Sequence, residues 1–152
     1  MIKEIKEFQG KYRFLSNFWY CKITYSGIEW PSVEHAFQGM KCIDSVERKQ
    51  ILNAETPGAA KRKGGVIRIR ADWEDVKLFC MLNLLKEKFK IPYLRAKLLS
   101  TGNAKLQEGN YWRDTFWGVD LKTGKGENHL GKLLMQVRGE IRKEIHTKVS
   151  ER

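Results

Sequence analysis

The sequence is poor in proline and cysteine and has no long apolar run, and each shortage excludes a class of protein. Three prolines and no low-complexity tract argue against a disordered chain. Cys21, Cys42 and Cys80 are isolated and odd in number, which argues against a disulfide framework and predicts buried, reduced thiols. No segment is apolar enough to span a bilayer or act as a signal peptide. We therefore expect a cytoplasmic protein without a membrane partner.

Acidic residues are scarce relative to basic ones. The chain has 29 Lys and Arg against 18 Asp and Glu, a formal net charge of +11. Such an excess favours an anionic partner, most commonly nucleic acid. A basic surface that only keeps the protein soluble is the alternative, and charge alone does not decide between them.

Turn and cap signals predict a strand-rich start followed by helices. Aromatic and β-branched residues over 18–25, a turn at 26–27 and a second strand at 28–30 predict a β hairpin. Caps and apolar spacing predict helices over 33–42, 45–52, 58–63, 73–89, 92–99 and from 129 to about 144. We therefore predict one compact, helix-rich α+β domain over 1–152, with a small N-terminal β portion, a core at about 8–142 and a polar C-terminal tail.

Three polar residues recur at helical spacing early in the chain. Glu34, Gln38 and Lys41 stand at i, i+4 and i+7 and would share one helix face. Apolar neighbours allow a lined pocket, but the spacing alone favours a solvated surface. His35 lies on another face, and a lone histidine is more often a packed or surface residue than a base.

Two further segments place polar groups between aromatic side chains. Ser16 and Asn17 follow Phe14, where they would face a ligand or form an ordinary turn between strands. Asp114 lies near Trp117 and a second tryptophan, which suits a stacked ring with a ribose contact. Two core aromatics beside a capping aspartate would give the same pattern.

Two basic segments contain the glycines that phosphate sites often use. Lys61, Arg62 and Lys63, with Arg68 beyond two glycines, suit phosphate contact, although a basic helix end favoured by the helix dipole explains them equally well. A glycine-bearing loop over 124–132 runs into a helix N-terminus, where free backbone N–H groups would seat a phosphate. That second pattern is weak, because many loops enter helices in this way.

Together these segments resemble the NADAR (YbiA-like) family over approximately residues 8–142. The matching motifs, in chain order, are FLSNF at 14–18, VEHAFQGMK at 33–41, the segment 56–64, the Asp72-Trp73 helix start, FWG at 116–118, and NHLGKLLM at 128–135 with Arg138. The resemblance implies a compact α+β fold of the YbiA-like type with one active-site cleft. It also implies N-glycosidase activity that needs neither a cofactor nor a metal.

The resemblance places the family's catalytic groups on particular residues of this chain. Its helix carboxylate falls on Glu34, which would stabilise a charged sugar or activate water. Its helix-start tryptophan falls on Trp73, which would stack on the ring or base. Its late aspartate falls on Asp114, which would hold ribose hydroxyls or protonate the leaving amine. Lys41 would contact a phosphate or attack C1 as a Schiff-base nucleophile, although nothing in the sequence lowers its pKa.

The matching motifs also supply the expected binding residues. For the ligand these are Phe14, Ser16, Asn17, Gln38, Trp117, Gly118, Asn128 and Gly131. For nucleic acid they are Lys61, Arg62, Lys63 and Arg68.

Three functions fit this resemblance. Charge favours a hydrolase that removes ADP-ribose from guanine in DNA, single-stranded or flipped out, with an antitoxin-like role against a DarT-type ADP-ribosyltransferase toxin. An N-glycosidase of the ribosylamino-pyrimidine phosphates of riboflavin synthesis is the first alternative. A non-catalytic module that binds ADP-ribose or NAD is the second, and the joint presence of Glu34, Trp73 and Asp114 argues against it.

Overall fold

The computed structural model describes residues 2–152, which form six α-helices and six short strands. The strands are β1 (Glu4–Ile5), β2 (Tyr20–Tyr25), β3 (Ile28–Ser32), β4 (Lys105–Leu106), β5 (Gly109–Asn110) and β6 (Val119–Asp120). The helices are α1 (Val33–Met40), α2 (Ser45–Leu52), α3 (Pro57–Gly64), α4 (Trp73–Lys88), α5 (Pro92–Ser100) and α6 (His129–Ser150), with a 3-10 helix at Gly10–Leu15. The predicted helix-rich α+β class is confirmed.

The strands form three separate pairs. β2 and β3 are antiparallel and meet at a turn where Ser26 and Gly27 have φ of 51° and 72°. Glycine adopts this left-handed conformation without a steric penalty, which explains the tight turn. The hairpin is where the sequence predicts it. β1 pairs with β4 and β5 with β6, both in parallel.

The chain forms two compact units. The central unit comprises Asn17–Lys88, and the terminal unit comprises residues 2–16 together with Phe89–Arg152. The expectation of a single domain over the whole chain stays a prediction. Within residues 2–152, no helix has the length and apolar character needed to cross a membrane.

In the central unit, α1 is the helix around which the other elements pack. It contacts β2, β3, α2, α3 and α4, while β2 also packs against α4. Gly39 makes the contact with β3 possible, because an added Cβ would lie 2.6 Å from a ring carbon of the fully buried Trp30. α1 is therefore enclosed, and polar side chains on it are taken out of water.

In the terminal unit, α6 packs against α5 and β4. The buried guanidinium of Arg138 donates to Thr101 Oγ1 (2.8 Å) and to Ala104 O (2.9 Å). Arg142 donates to Asn103 Oδ1 at 3.0 Å. The two arginines thus tie the turn after α5 to α6. Burial, with the charge of Arg142 as a second cause, lowers the pKa of Arg138.

The sequence prediction differs from the structure at two places. α6 continues to Ser150 rather than fraying after about Glu144, because residues 145–150 contain no Gly or Pro and Lys148 pairs with Glu144 at 3.9 Å. β1 was not predicted, since a two-residue strand leaves no periodicity to detect, whereas β4, β5 and β6 lie within 103–120, where the sequence predicts an irregular segment with strand-like pieces.

Candidate active site

The start of α1 fixes the position of Glu34. Ser32 caps the helix by accepting the His35 N–H at 3.1 Å, and the Glu34 N–H donates to Asn17 O at 3.1 Å. Every residue of Val33–Gly39 is buried. The interpretation of this face as a solvated surface is therefore wrong, because neighbouring elements enclose α1 on all sides.

A chain of hydrogen bonds links the polar side chains of α1. Gln38 Nε2 donates to Glu34 Oε1 at 2.8 Å, and Lys41 Nζ donates to Gln38 Oε1 at 2.9 Å. Lys41 Nζ also donates to Gly64 O, at 3.3 Å, at the end of α3. An ammonium group only donates, so Lys41 holds the amide oxygen towards itself and directs the amide N–H groups towards Glu34. Glu34, Gln38 and Lys41 are aligned as predicted, and hydrogen bonds join them.

Burial changes the chemistry of Lys41. Desolvation lowers the pKa of its ammonium group, and the negative charge of Glu34 opposes that shift as the second cause. The sequence analysis found nothing that would lower this pKa, because it placed the lysine on a solvated face. A Lys with a lowered pKa is a better nucleophile at neutral pH, so its Schiff-base role stays a prediction with a physical basis.

His35 has a packing role. Its Nε2 lies 3.0 Å from Ala54 O and its Nδ1 lies 2.7 Å from Ser32 Oγ. A carbonyl only accepts, so Nε2 carries the hydrogen and Nδ1 of the neutral ring accepts from the Ser32 hydroxyl. Of the two alternatives to a base, a packed or a surface residue, His35 is the packed one.

Trp73 starts α4 with its side chain buried against α1. Its ring centroid lies 4.9 Å from that of Phe37, at an interplanar angle of 55°. This tilted contact is the ordinary geometry of packed aromatic rings. Trp73 is thus on the helix that packs beside Glu34, and its stacking on a substrate stays a prediction.

Asn17 has an unused acceptor beside Glu34. Its side chain is 8% exposed, and its Nδ2 donates to Met81 Sδ at 3.5 Å. Within residues 2–152, its buried Oδ1 has no hydrogen-bond donor. A buried polar atom without a partner is costly, and functional sites are one place where such atoms persist.

In the terminal unit, Asp114 holds a loop together. Its Oδ1 accepts from the N–H groups of Phe116 (3.1 Å) and Trp117 (2.9 Å). Asn110 bonds to both the N–H and the C=O of Asp114. This fits the alternative of a capping aspartate, and the proposed contact of Asp114 with a ribose or leaving amine stays a prediction.

Asn128 lies before α6 without capping it. With φ at 53°, it directs its side chain to Glu108 N (3.0 Å) and Leu106 O (2.9 Å). The N–H groups of His129 and Leu130 donate to Phe116 O and Trp117 O. The prediction that free N–H groups here seat a phosphate is therefore wrong, because backbone carbonyls already occupy them.

Close packing is sufficient to explain two glycines of the motifs, Gly118 and Gly131. A Cβ on Gly118 would lie 2.8 Å from Asn110 Nδ2, and one on Gly131 would lie 2.5 Å from Asn128 Oδ1. Trp117 packs edge-on against Phe116 at 4.9 Å. Ligand contacts by Trp117, Gly118, Asn128 and Gly131 stay predictions.

Phe14 and Ser16 end the first segment of the terminal unit, and both are buried. Lys97 Nζ lies 5.5 Å from the centroid of the Phe14 ring, within the range of a cation–π contact. Their binding roles also stay predictions.

The comparisons with known proteins agree on one family. The model of the NADAR domain matches residues 5–142. The chain belongs to the NADAR family. It is 40% identical over 133 residues to the N-glycosidase YbiA of Escherichia coli (strain K12), covering 86% of this chain and 82% of that one. The NMR structure of E. coli YbiA superposes with a TM-score of 0.82 at 37% identity, covering 94% of this chain and 86% of that chain.

A longer protein is also similar. The riboflavin biosynthesis protein VVA0006 of Vibrio vulnificus (strain YJ016) is 40% identical over 131 residues, which are 84% of this chain but 35% of that protein. The NADAR chain therefore spans about a third of that relative. As a member of this family, the chain is a hydrolase of the N-glycosidase type.

Within the NADAR domain, the predicted nucleic-acid residues are exposed on the central unit. Lys61, Arg62 and Lys63 lie on the solvent side of α3, and Lys61 Nζ lies 6.0 Å from the Phe18 ring centroid. Arg68 pairs with Asp44 at 3.8 Å. Exposure is compatible with phosphate contact, which stays a prediction.

Gly64 was not among the predicted site residues, although it contacts both Lys41 and Gln38. In the sequence it was interpreted only as part of a helix stop and as a glycine of the basic segment. For residues 2–152, no group of three His, Cys, Asp or Glu side chains is placed to hold a metal ion.

Proposed function

We propose that this chain hydrolyses the C1–N bond of a phosphorylated N-riboside, with Glu34 as the catalytic carboxylate. The observation that carries the proposal is a buried Glu34 whose Oε1 is held by Gln38, which Lys41 orients in turn. Three linked polar side chains on an enclosed helix cost desolvation energy, and catalysis gives a reason to retain them.

The chemistry needs a negative group near the sugar. As the C1–N bond breaks, positive charge develops on the ribose, and the electron pair of the bond leaves with the nitrogen. Glu34 stabilises that charge, or removes the proton from the water that attacks C1. The leaving nitrogen takes up a proton, and a free amine or base and a ribose with a C1 hydroxyl result.

Other polar atoms of the central unit fit the rest of such a substrate. Asn17 Oδ1 accepts a ribose hydroxyl, because it is a buried acceptor without a donor in residues 2–152 and its backbone carbonyl bonds to Glu34 N. Lys41 contacts a phosphate or attacks C1 through its amine. Trp73 contributes an aromatic wall.

A small ribosylamino-pyrimidine phosphate is the substrate we favour. Relatives at 40% identity are named N-glycosidase YbiA and riboflavin biosynthesis protein. This choice reverses the order of the two enzymatic hypotheses from the sequence, in which net charge placed DNA first.

ADP-ribosylated guanine in DNA is the second candidate, favoured by one exposed edge of the terminal unit. Tyr111 and Trp112 are 62% and 57% exposed directly after β5. Arg113, Lys122 and Lys125 are also exposed, and no ion pair within residues 2–152 involves them. Exposed rings suit stacking with single-stranded bases, and unpaired cations suit phosphates. A DarT-type toxin would be the source of such a lesion.

The test measures both substrates with wild-type protein and Glu34→Gln. We expect wild type to release the base from the ribosylamino-pyrimidine phosphate and Glu34→Gln to lose about 100-fold or more in rate. Release of ADP-ribose from a modified DNA oligonucleotide alone would replace the favoured substrate with the second. Ligand binding without hydrolysis of either would favour a binding module, and a normal rate in Glu34→Gln would remove Glu34 from the mechanism.

A further inference from the structure

Gly64, the last residue of α3, lies directly against the side chain of Gln38. A Cβ added to Gly64 would overlap Gln38 Oε1 and lie 2.6 Å from its Cδ. The Gly64 carbonyl also accepts from Lys41 Nζ at 3.3 Å. The end of α3 therefore touches both side chains that support Glu34.

The backbone of Gly64 does not itself require glycine. Gly64 lies inside an α-helix, and it is not among the glycines with positive φ in residues 2–152. Alanine has a higher helix propensity than glycine at such a position. The reason for glycine is thus the close approach to Gln38.

We propose that Gly64 is a positioning residue of this N-glycosidase: its missing side chain leaves the space in which Gln38 bridges Lys41 and Glu34. The proposal rests on the proposed catalytic role of Glu34. It adds a residue from α3 to the cluster of Glu34, Gln38 and Lys41 on and directly after α1.

An added methyl group would displace the side chain of Gln38 rather than the fold. The atoms it would meet are the outer atoms of a flexible side chain with several rotamers. Moving them takes less energy than moving the helix backbone. Glu34 Oε1 would then lose the Gln38 donor, and Lys41 would lose one of its two acceptors. We expect a stable protein with an impaired active site.

The experiment compares Gly64→Ala with Gly65→Ala. Gly65 is the matched control because it is exposed and its added Cβ would meet only Arg62 O, at 3.4 Å. We expect Gly64→Ala to lower kcat by about 10- to 100-fold, the range for losing a hydrogen bond to a charged group, with less change in KM and no fall in Tm. Gly65→Ala should keep the wild-type kcat.

A double-mutant cycle with Gln38→Ala separates positioning from general damage. Gln38→Ala removes the side chain that the new methyl group displaces, so adding Gly64→Ala to it should change kcat by less than about twofold. An equal loss in both backgrounds, or a loss of Tm that parallels the loss of kcat, would overturn the proposal. So would a normal kcat in Gly64→Ala.

A measurement without substrate tests the same geometry. The side-chain amide protons of Gln38 should exchange slowly with water in wild type and fast in Gly64→Ala, as observed by NMR. Unchanged exchange would contradict the displacement. If Glu34→Gln is inactive while Gly64→Ala is fully active, only the role of Gly64 fails; if Glu34→Gln is active, the proposed function fails.

Discussion

The two units use buried polar side chains in different ways. In the central unit, Glu34, Gln38 and Lys41 bond mainly to one another. In the terminal unit, Asp114 and Asn128 bond to backbone N–H and C=O groups of loops. A side chain that bonds to backbone holds the fold, whereas side chains that bond to each other within a buried face leave functional atoms in a defined position.

The excess of basic over acidic residues is larger in the terminal unit than in the central unit. The central unit has 12 Lys and Arg against 9 Asp and Glu, while the terminal unit has 17 against 9. Most of the basic excess therefore belongs to the terminal unit. If the proposed role of Glu34 is correct, the central unit carries the chemistry and the terminal unit supplies long-range attraction of anions, and the following predictions test that division.

The largest expected effect concerns the three thiols, which all lie in the central unit. Burial raises the pKa of Cys80 to about 11 and also raises the pKa of Cys21 and Cys42. A raised pKa delays thiolate formation to higher pH, so at pH 8 the thiolate fraction of Cys80 should be about 200-fold below that of an ordinary thiol. The rate of Cys80 alkylation, followed by mass spectrometry in native and in urea-unfolded protein, measures this difference in thiolate fraction. Fast labelling of native Cys80 would show that the central unit opens readily.

Replacement of Lys41 tests whether the central cluster is functional. Lys41→Met removes a charged donor from Gln38 Oε1 and from Gly64 O, so kcat should fall by about 100-fold. The melting temperature should fall only moderately, because relief from desolvating a partly buried charge offsets part of the loss of two hydrogen bonds. Lys49→Met, at an exposed position of α2, is the control. A Lys41→Met variant that keeps its kcat but loses stability would make this cluster structural, like the polar groups of the terminal unit.

The sequence predicted the helices better than the site. Apolar spacing and caps identified all six α-helices, because each depends on local signals such as Ser32 or Thr56 at an N-terminus. Burial of Glu34 and Lys41 was not predictable from their spacing, since it depends on elements far along the chain that cover α1. Gly64 was missed for the same reason, because its contact with Gln38 joins α3 to α1.

Replacement of Asn128 tests the structural half of the comparison. Asn128→Ala leaves Glu108 N and Leu106 O without their side-chain partner, so the free energy of unfolding should fall by about 2 kcal/mol. Urea denaturation measures this loss. Asn83→Ala, which removes an exposed bond to Phe79 O, should change stability by less than about 0.5 kcal/mol. Equal effects of the two variants would show that Asn128 does not hold its loop.

The smallest expected effect compares the two basic surfaces in their binding to a single-stranded DNA oligonucleotide. Each phosphate contact contributes about 0.7 to the slope of log K against log salt, so losing three contacts lowers the slope by about 2. Between about 50 and 200 mM salt, that difference amounts to about 15-fold in affinity.

If the division of charge is functional, replacing Arg113, Lys122 and Lys125 with Gln flattens the slope more than replacing Lys61, Arg62 and Lys63. Arg113 follows Trp112 in the chain, and Lys122 and Lys125 follow β6, the strand that pairs with β5 just before Tyr111. Stacking on the exposed rings and phosphate contact would then reinforce each other. If replacing Lys61, Arg62 and Lys63 flattens the slope more, DNA contacts α3, as the sequence predicted. If both triple variants keep the wild-type slope, the basic residues only keep the protein soluble. The main support for the DNA substrate is then removed.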